Sequence, residues 1–193
     1  MKIIIQESGI ENIASMADIP IAFKVTQILS PHMLDTGLGG ILLKEEPIQA
    51  PYIKDYDASP GEGPKQWAKH FDVSTWGLLV AEHQSHTIGA AVVAFNTKEL
   101  TLLKGRNDLA VLWDIRIEPD YRKQGIGTQL FKAVEQWAEA RNCIQLNIET
   151  QNINVPACKF YSKQGCELSE INRLAYRSHP HEIQLIWTKH IGG

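Results

Sequence analysis

Between Leu109 and Ile117 the chain alternates, with Leu109, Val111, Trp113, Ile115 and Ile117 falling on one face, the period of a strand. Pro119 ends it. Ile126, Leu130, Val134 and Trp137 then recur at helical spacing up to Arg141. Ile144, Leu146 and Ile148 alternate with Gln145, Asn147 and Glu149 and predict another strand. Asn154 is placed to cap a further helix whose first turn tolerates Pro156, and Gly165 is its natural stop.

Upstream, the apolar runs Trp76–Glu82 and Thr87–Phe95 flank His83-Gln84-Ser85-His86 and predict a hairpin, with a tight packing site or bulge at Gly89-Ala90-Ala91. Lys2–Gln6 reads as a first strand, Leu38–Leu43 as a short strand or turn, and Glu182–Trp187 as a last strand. Ile13–Leu29 is helix-compatible, with a break at Pro20. Lys44–Gln66 is punctuated by Pro47, Pro51, Pro60, Pro64, Gly61 and Gly63 and reads as a long surface loop with a little helix near Tyr52.

The connection between the Leu109 strand and the next helix is Arg122-Lys123-Gln124-Gly125-Ile126-Gly127. A basic, Gly-containing loop there aims backbone N–H groups from a helix N-terminus at an anion, and its glycines allow close approach. A pyrophosphate suits it. A nucleotide P-loop is excluded, because no Gly-Lys-Ser/Thr follows Gly127, and a dinucleotide fingerprint lacks its third glycine, position 130 being Leu. The R-x-x-G-x-G pattern fits at every fixed position.

With 193 residues and 44% hydrophobic content, the chain is read as one α/β domain spanning 1–193. A net charge of −3, without a run of Lys or Arg, argues against a nucleic-acid partner held by bulk positive charge. No apolar run reaches membrane-spanning length and Met1–Gln6 is no signal peptide, so a soluble, cytoplasmic protein without a membrane partner is expected. Cys143, Cys158 and Cys166 form no C-x-x-C motif, which fits a reducing compartment and no metal site. His179-Pro180-His181 lacks a third ligand and reads as an exposed turn, and the five tryptophans read as packing.

The basic loop followed by N-x-x-A-x-x-F-Y-x-K-x-G from Asn154 to Gly165 resembles the GNAT family of acetyl-CoA-dependent N-acetyltransferases. The run from Glu149 to Tyr161 and the stretch Ala50–Tyr56 are further similar to streptothricin acetyltransferases, although the acidic run after Pro51-Tyr52 is reduced to Asp55, Asp57 and Glu62. The resemblance implies a strongly twisted mixed β-sheet flanked by helices and acetyl transfer from acetyl-CoA, with no metal. The acceptor it implies is a small cationic primary amine, a streptothricin-like antibiotic first. A protein N-terminal or lysine acetyltransferase and a non-catalytic acyl-CoA-binding sensor are the alternatives. The oligomeric state stays open, a homodimer included.

By the same resemblance, Ile115, Arg116 and Ile117 would bind the pantetheine arm through their backbones, with Asn154 alongside. Arg122, Lys123, Gln124, Gly125, Ile126, Gly127 and Thr128 would hold the pyrophosphate. Tyr161 would sit against the cofactor and protonate the departing thiolate, since a phenol with a pKa of about 10 is protonated at neutral pH. Asp114 and Glu149 would attract the amine or take its proton, directly or through a water. Cys158 would pack near the cofactor.

Overall fold

In a computed structural model that describes residues 1–59 and 61–192, the strands and helices follow one another in this order. They are β1 (Ile4–Ser8), β2 (Phe23–Met33), β3 (Ile41–Lys54), α1 (Pro64–His70), β4 (Gly77–His83), β5 (His86–Phe95), β6 (Leu109–Ile117), α2 (Ile126–Glu139), β7 (Gln145–Gln151), α3 (Val155–Lys163), β8 (Glu167–Asn172) and β9 (Gln184–His190). Pro60, counted above among the loop prolines, and Gly193 lie outside the described residues. The strands form a mixed seven-stranded sheet of order β1-β4-β5-β6-β7-β9-β8 and a separate ribbon of β2 and β3. Two compact units result: Met1–Ala22, Asp55–Ile148 and the chain from Thr188 onward make the first, and Phe23–Lys54 with Glu149–Trp187 the second.

In the first unit the predicted hairpin is present. Gln84 and Ser85 both take positive φ, 51° and 63°, as a two-residue turn matching strand twist requires, and His83 pairs with His86 across it. Gly89 is a close-approach site: a Cβ there would lie 2.7 Å from Ile117 Cδ1 and 3.0 Å from the Arg116 carbonyl oxygen. A bulge accompanies it, since the register skips Ile88 between the pairs Ala81–Gly89 and Glu82–Thr87. One face of the sheet is covered by the 3₁₀ segment Ile10–Asp18 and by α1, burying Ile13, Met16, Trp67 and Trp76 with Leu78, Val92, Leu109 and Val111. On α2, Leu130, Val134 and Trp137 are buried at helical spacing, and the helix packs on β4, β5 and β6.

The second unit departs from the sequence reading. Residues 23–29 of the helix-compatible stretch belong to strand β2, and residues 44–54 of the supposed loop belong to its partner β3. Among the described residues of that stretch, 55–59 and 61–63 remain outside strand and α-helix, with a 3₁₀ turn at Tyr56–Ala58, and Pro64 starts α1 rather than ending a loop. The register jumps from Val25–Tyr52 to Gln27–Pro47, so Ile48–Pro51 on β3 stand against the single residue Thr26 on β2. Asn152, 1% exposed, ties this unit together. Its backbone and side chain exchange paired hydrogen bonds with Ile183 and, on the other side, with Leu29 of β2.

Candidate active site

The end of β6 is shaped by a second bulge. Val92 pairs with Asp114 but Val93 with Leu112, which leaves Trp113 as an extra residue. The insertion resets the alternation. Leu109, Val111 and Trp113 pack with the core under the 3₁₀ segment, as the period predicts. Ile117, expected on that face, instead lies with Leu130 of α2 beside Gly89, and Asp114 and Arg116 take the face that Ile115 and Ile117 vacate.

Arg116 is therefore turned inward, its side chain 1% exposed. Its guanidinium donates to both oxygens of Asp114, at 2.9 and 2.8 Å, to both oxygens of Asp57, and to the carbonyl of Ile19 at 3.3 Å. It also lies 5.9 Å from the centre of the Trp67 ring. Burial alone would lower the Arg116 pKa, but the two carboxylates outweigh it and push it up, so the cation persists. Burial pushes the Asp114 carboxyl up against the opposing Arg116 hydrogen bond. Asp114 thus has both oxygens engaged, and Asp57 is an internal partner rather than part of an acidic loop.

The peptide groups of this strand divide in two. Glu118 N–H donates to the Ile88 carbonyl at 2.9 Å, so by alternation Arg116 directs its peptide groups to β5 and Ile115 and Ile117 direct theirs to the opposite edge. There the parallel pairing with β7 ends at Leu112–Ile148, although β6 runs on to Ile117. The Ile117 carbonyl accepts Arg122 Nε at 2.9 Å, and Arg122 Nη2 reaches the Pro20 carbonyl at 3.0 Å. Gln124 Nε2 holds the Asp120 carbonyl at 3.0 Å. These contacts brace the connection between β6 and α2, in which Lys123 and Gly125 have φ of 61° and 83°.

Gly125 caps α2 by backbone alone. The first helical bond runs from Gln129 N–H to the Gly125 carbonyl, so the N–H groups of Ile126 and Gly127 precede the helical ladder, with Thr128 in the same turn. A Cβ at Gly125 would meet nothing within 4 Å, so the approach to these donors is open.

In the second unit, Glu149 is half-buried at the end of β7. Tyr176, in the irregular stretch between β8 and β9, donates its phenol proton to Glu149 Oε1 at 2.6 Å and accepts from Gln151 Nε2 at 3.0 Å. The other carboxylate oxygen of Glu149 has no hydrogen-bond partner among the described residues. Asn154 caps α3, its side-chain oxygen accepting from Ala157 N–H at 3.2 Å. Tyr161 is 6% exposed on α3, with its ring edge-on to Phe160 at 5.5 Å. The buried Cys158 thiol is pushed up to about 12 by burial, far from a thiolate nucleophile at neutral pH.

Asp114, Arg116, Ile117 and the Arg122–Thr128 connection lie in the first unit, and Glu149, Asn154 and Tyr161 lie in the second. Sequence reasoning gives no role to Tyr176 or Asn152 and places Asp57 only in the reduced acidic run. Each acts through a partner distant in sequence, for which a single chain carries no local signal. His179 and His181 are exposed, and among the described residues no three His, Cys, Asp or Glu side chains are grouped to hold a metal ion. No helix among them is long and apolar enough to cross a membrane.

Residues 41–166 match the sequence profile of the acetyltransferase (GNAT) family. A streptothricin acetyltransferase of Escherichia coli is 25% identical over 180 residues, 92% of this chain and 90% of that protein. Streptothricin acetyltransferase A of Bacillus subtilis (strain 168) is 36% identical over 83 residues, 42% of this chain and 48% of that relative, about half its length. Among solved structures, a candidate streptothricin acetyltransferase of Bacillus anthracis in complex with acetyl coenzyme A superposes with a TM-score of 0.76, at 24% identity over 98% of this chain and 100% of that one. A nourseothricin acetyltransferase gives 0.74 at 19% identity over 100% of both chains. At these identities the two structures establish the fold.

Proposed function

The chain belongs to the acetyltransferase (GNAT) family, and we propose that it transfers acetyl from acetyl-CoA to a primary amine of a small cationic substrate, a streptothricin-like antibiotic first. The observation that carries the cofactor half is the N-terminus of α2, left open by Gly125. The acceptor half rests on the Escherichia coli relative, similar over nearly the whole chain.

Acetyl-CoA supplies an activated thioester, so this chain's residues have only to bind, orient and move protons. Ile126 and Gly127 N–H groups, with Thr128 in the same turn, receive the pyrophosphate, and the Lys123 ammonium adds charge. The peptide groups of Ile115 and Ile117, directed away from β5, bond the pantetheine arm, and the amide of Asn154 adds a donor to it. Arg122 and Gln124 brace the loop, and Arg116 braces the strand. Glu149 presents its open carboxylate oxygen to the amine, attracting it as a cation and taking up its proton directly or through water. Asp114, with both oxygens on Arg116, holds the strand in place. Tyr161 gives the phenol proton to the departing thiolate.

The test is thiol release from acetyl-CoA with a panel of amines: streptothricin, peptides with a free N-terminus, and lysine peptides. Streptothricin gaining one acetyl group by mass is the expected result. Acetylation of the peptides alone would replace the antibiotic by a protein acceptor. On the accepted amine, Tyr161→Phe should lower kcat about a hundredfold while acetyl-CoA affinity changes little, because only the thiolate-forming transition state needs the proton. Near-normal turnover would remove Tyr161 from this role.

A further inference from the structure

We propose that Tyr176 is a positioning residue: it clamps one oxygen of Glu149 so that the other is presented to the acceptor amine. The inference rests on the reading of Glu149 as the group that meets the amine.

Three observations carry it. The first is the direction of the hydrogen bonds. Gln151 Nε2 is a donor and occupies the Tyr176 oxygen at 3.0 Å, so the single phenol proton goes to Glu149 Oε1 at 2.6 Å, within the short range of a hydrogen bond to a carboxylate. The second is the asymmetry of the carboxylate. One oxygen is fixed, while the other has no hydrogen-bond partner among the described residues and Glu149 is not closed off from solvent. A Glu side chain free to rotate would spread that oxygen over several positions, and one fixed bond removes most of them.

The third is that the stretch bearing Tyr176 is itself held. At one end Arg173 Nη2 donates to the Pro31 carbonyl of β2, and Leu174 N–H donates to Asn172 Oδ1. At the other end Ile183 N–H donates to the buried Asn152, and Glu182 pairs with Lys54 at 2.6 Å, both side chains largely buried. A phenol on a loop tied at both ends is preorganised; the same phenol on a free loop would not hold a carboxylate in register.

A double-mutant cycle tests the proposal, run with acetyl-CoA and whichever amine of the panel the wild-type protein acetylates fastest. Tyr176→Phe should lower kcat/KM for the amine about tenfold, with the KM for acetyl-CoA within about twofold and the melting temperature nearly unchanged. Glu149→Gln should lower it about a hundredfold. The double variant should match Glu149→Gln within about twofold, because Tyr176 acts only through Glu149. Losses that multiply to about a thousandfold would show that Tyr176 acts by itself, and a Tyr176→Phe defect that follows a fall in melting temperature would reduce it to a loop anchor. Either overturns the proposal. A full-strength Tyr176→Phe defect beside a silent Glu149→Gln would instead overturn the role of Glu149, and with it this inference. If streptothricin is refused but another amine is accepted, only the substrate is wrong. If no amine releases thiol, both readings fall.

Discussion

β6 and β7 each run through a short connection into a helix, α2 and α3, yet the two helix N-termini are finished differently. α2 is capped by a glycine at φ 83° with no side-chain bond, so the N–H groups of its first turn are offered outward. α3 is capped by the Asn154 side chain, which satisfies one donor internally. The strand ends differ in the same sense. Asp114 has both oxygens bonded to a buried guanidinium, whereas Glu149 has one oxygen bonded to a phenol and the other open. Residue type and spacing make these pairs look alike; the free valences separate them. Open donors and an open carboxylate oxygen can meet a ligand, and satisfied ones hold the frame.

The largest effect should come from breaking the frame on β6. Arg116→Met removes the one cation from between two carboxylates at a site where the guanidinium is 1% exposed. Removing one partner of a buried ion pair costs about 3–5 kcal/mol, and the low end applies because Asp57 is partly exposed. Urea unfolding should show that loss. A loss within about 1 kcal/mol would mean the triad contributes little to holding β6.

Gly125→Val probes the open cap. Beyond its chain neighbours, no atom of the described residues lies within 4 Å of the new Cβ, but φ is 83°, so the cost should be backbone strain of about 1–2 kcal/mol rather than collision. The apo protein should stay folded and lose its thermal stabilisation by acetyl-CoA. An unchanged shift would place the cofactor elsewhere. Asn154→Ala probes the closed cap and should cost about 1 kcal/mol in the same unfolding measurement, the usual worth of a side-chain cap. No measurable cost would mean that the Ala157 donor finds another acceptor.

Much of this division was legible in part. The hairpin, β6, α2 and the Asn154 cap follow from period, turn residues and cap chemistry, all local. β2 and β3 do not, because β2 buries only Val25 and Leu29 and β3 buries no residue, which leaves no clean apolar alternation, and Pro47 and Pro51, which normally argue against a strand, are tolerated at an edge. Ile117 on one face and Asp114 and Arg116 on the other are the reverse of the sequence reading, because one extra residue, Trp113, inverts the period after it. The commitments of Asp114 to Arg116 and of Glu149 to Tyr176 depend on that inversion and on the path of the chain between β8 and β9.

The most direct test sets the two carboxylates against each other: kcat for Glu149→Gln and Asp114→Asn, at saturating acetyl-CoA and well below each variant's melting temperature. Glu149→Gln should lose about a hundredfold in kcat with its melting temperature almost unchanged. Asp114→Asn should lose stability, about 1–3 kcal/mol for a weakened buried charge-assisted bond, with kcat within about fivefold of wild type. A hundredfold loss of kcat in a stable Asp114→Asn, beside an active Glu149→Gln, would contradict the assignment of frame to β6 and proton handling to β7.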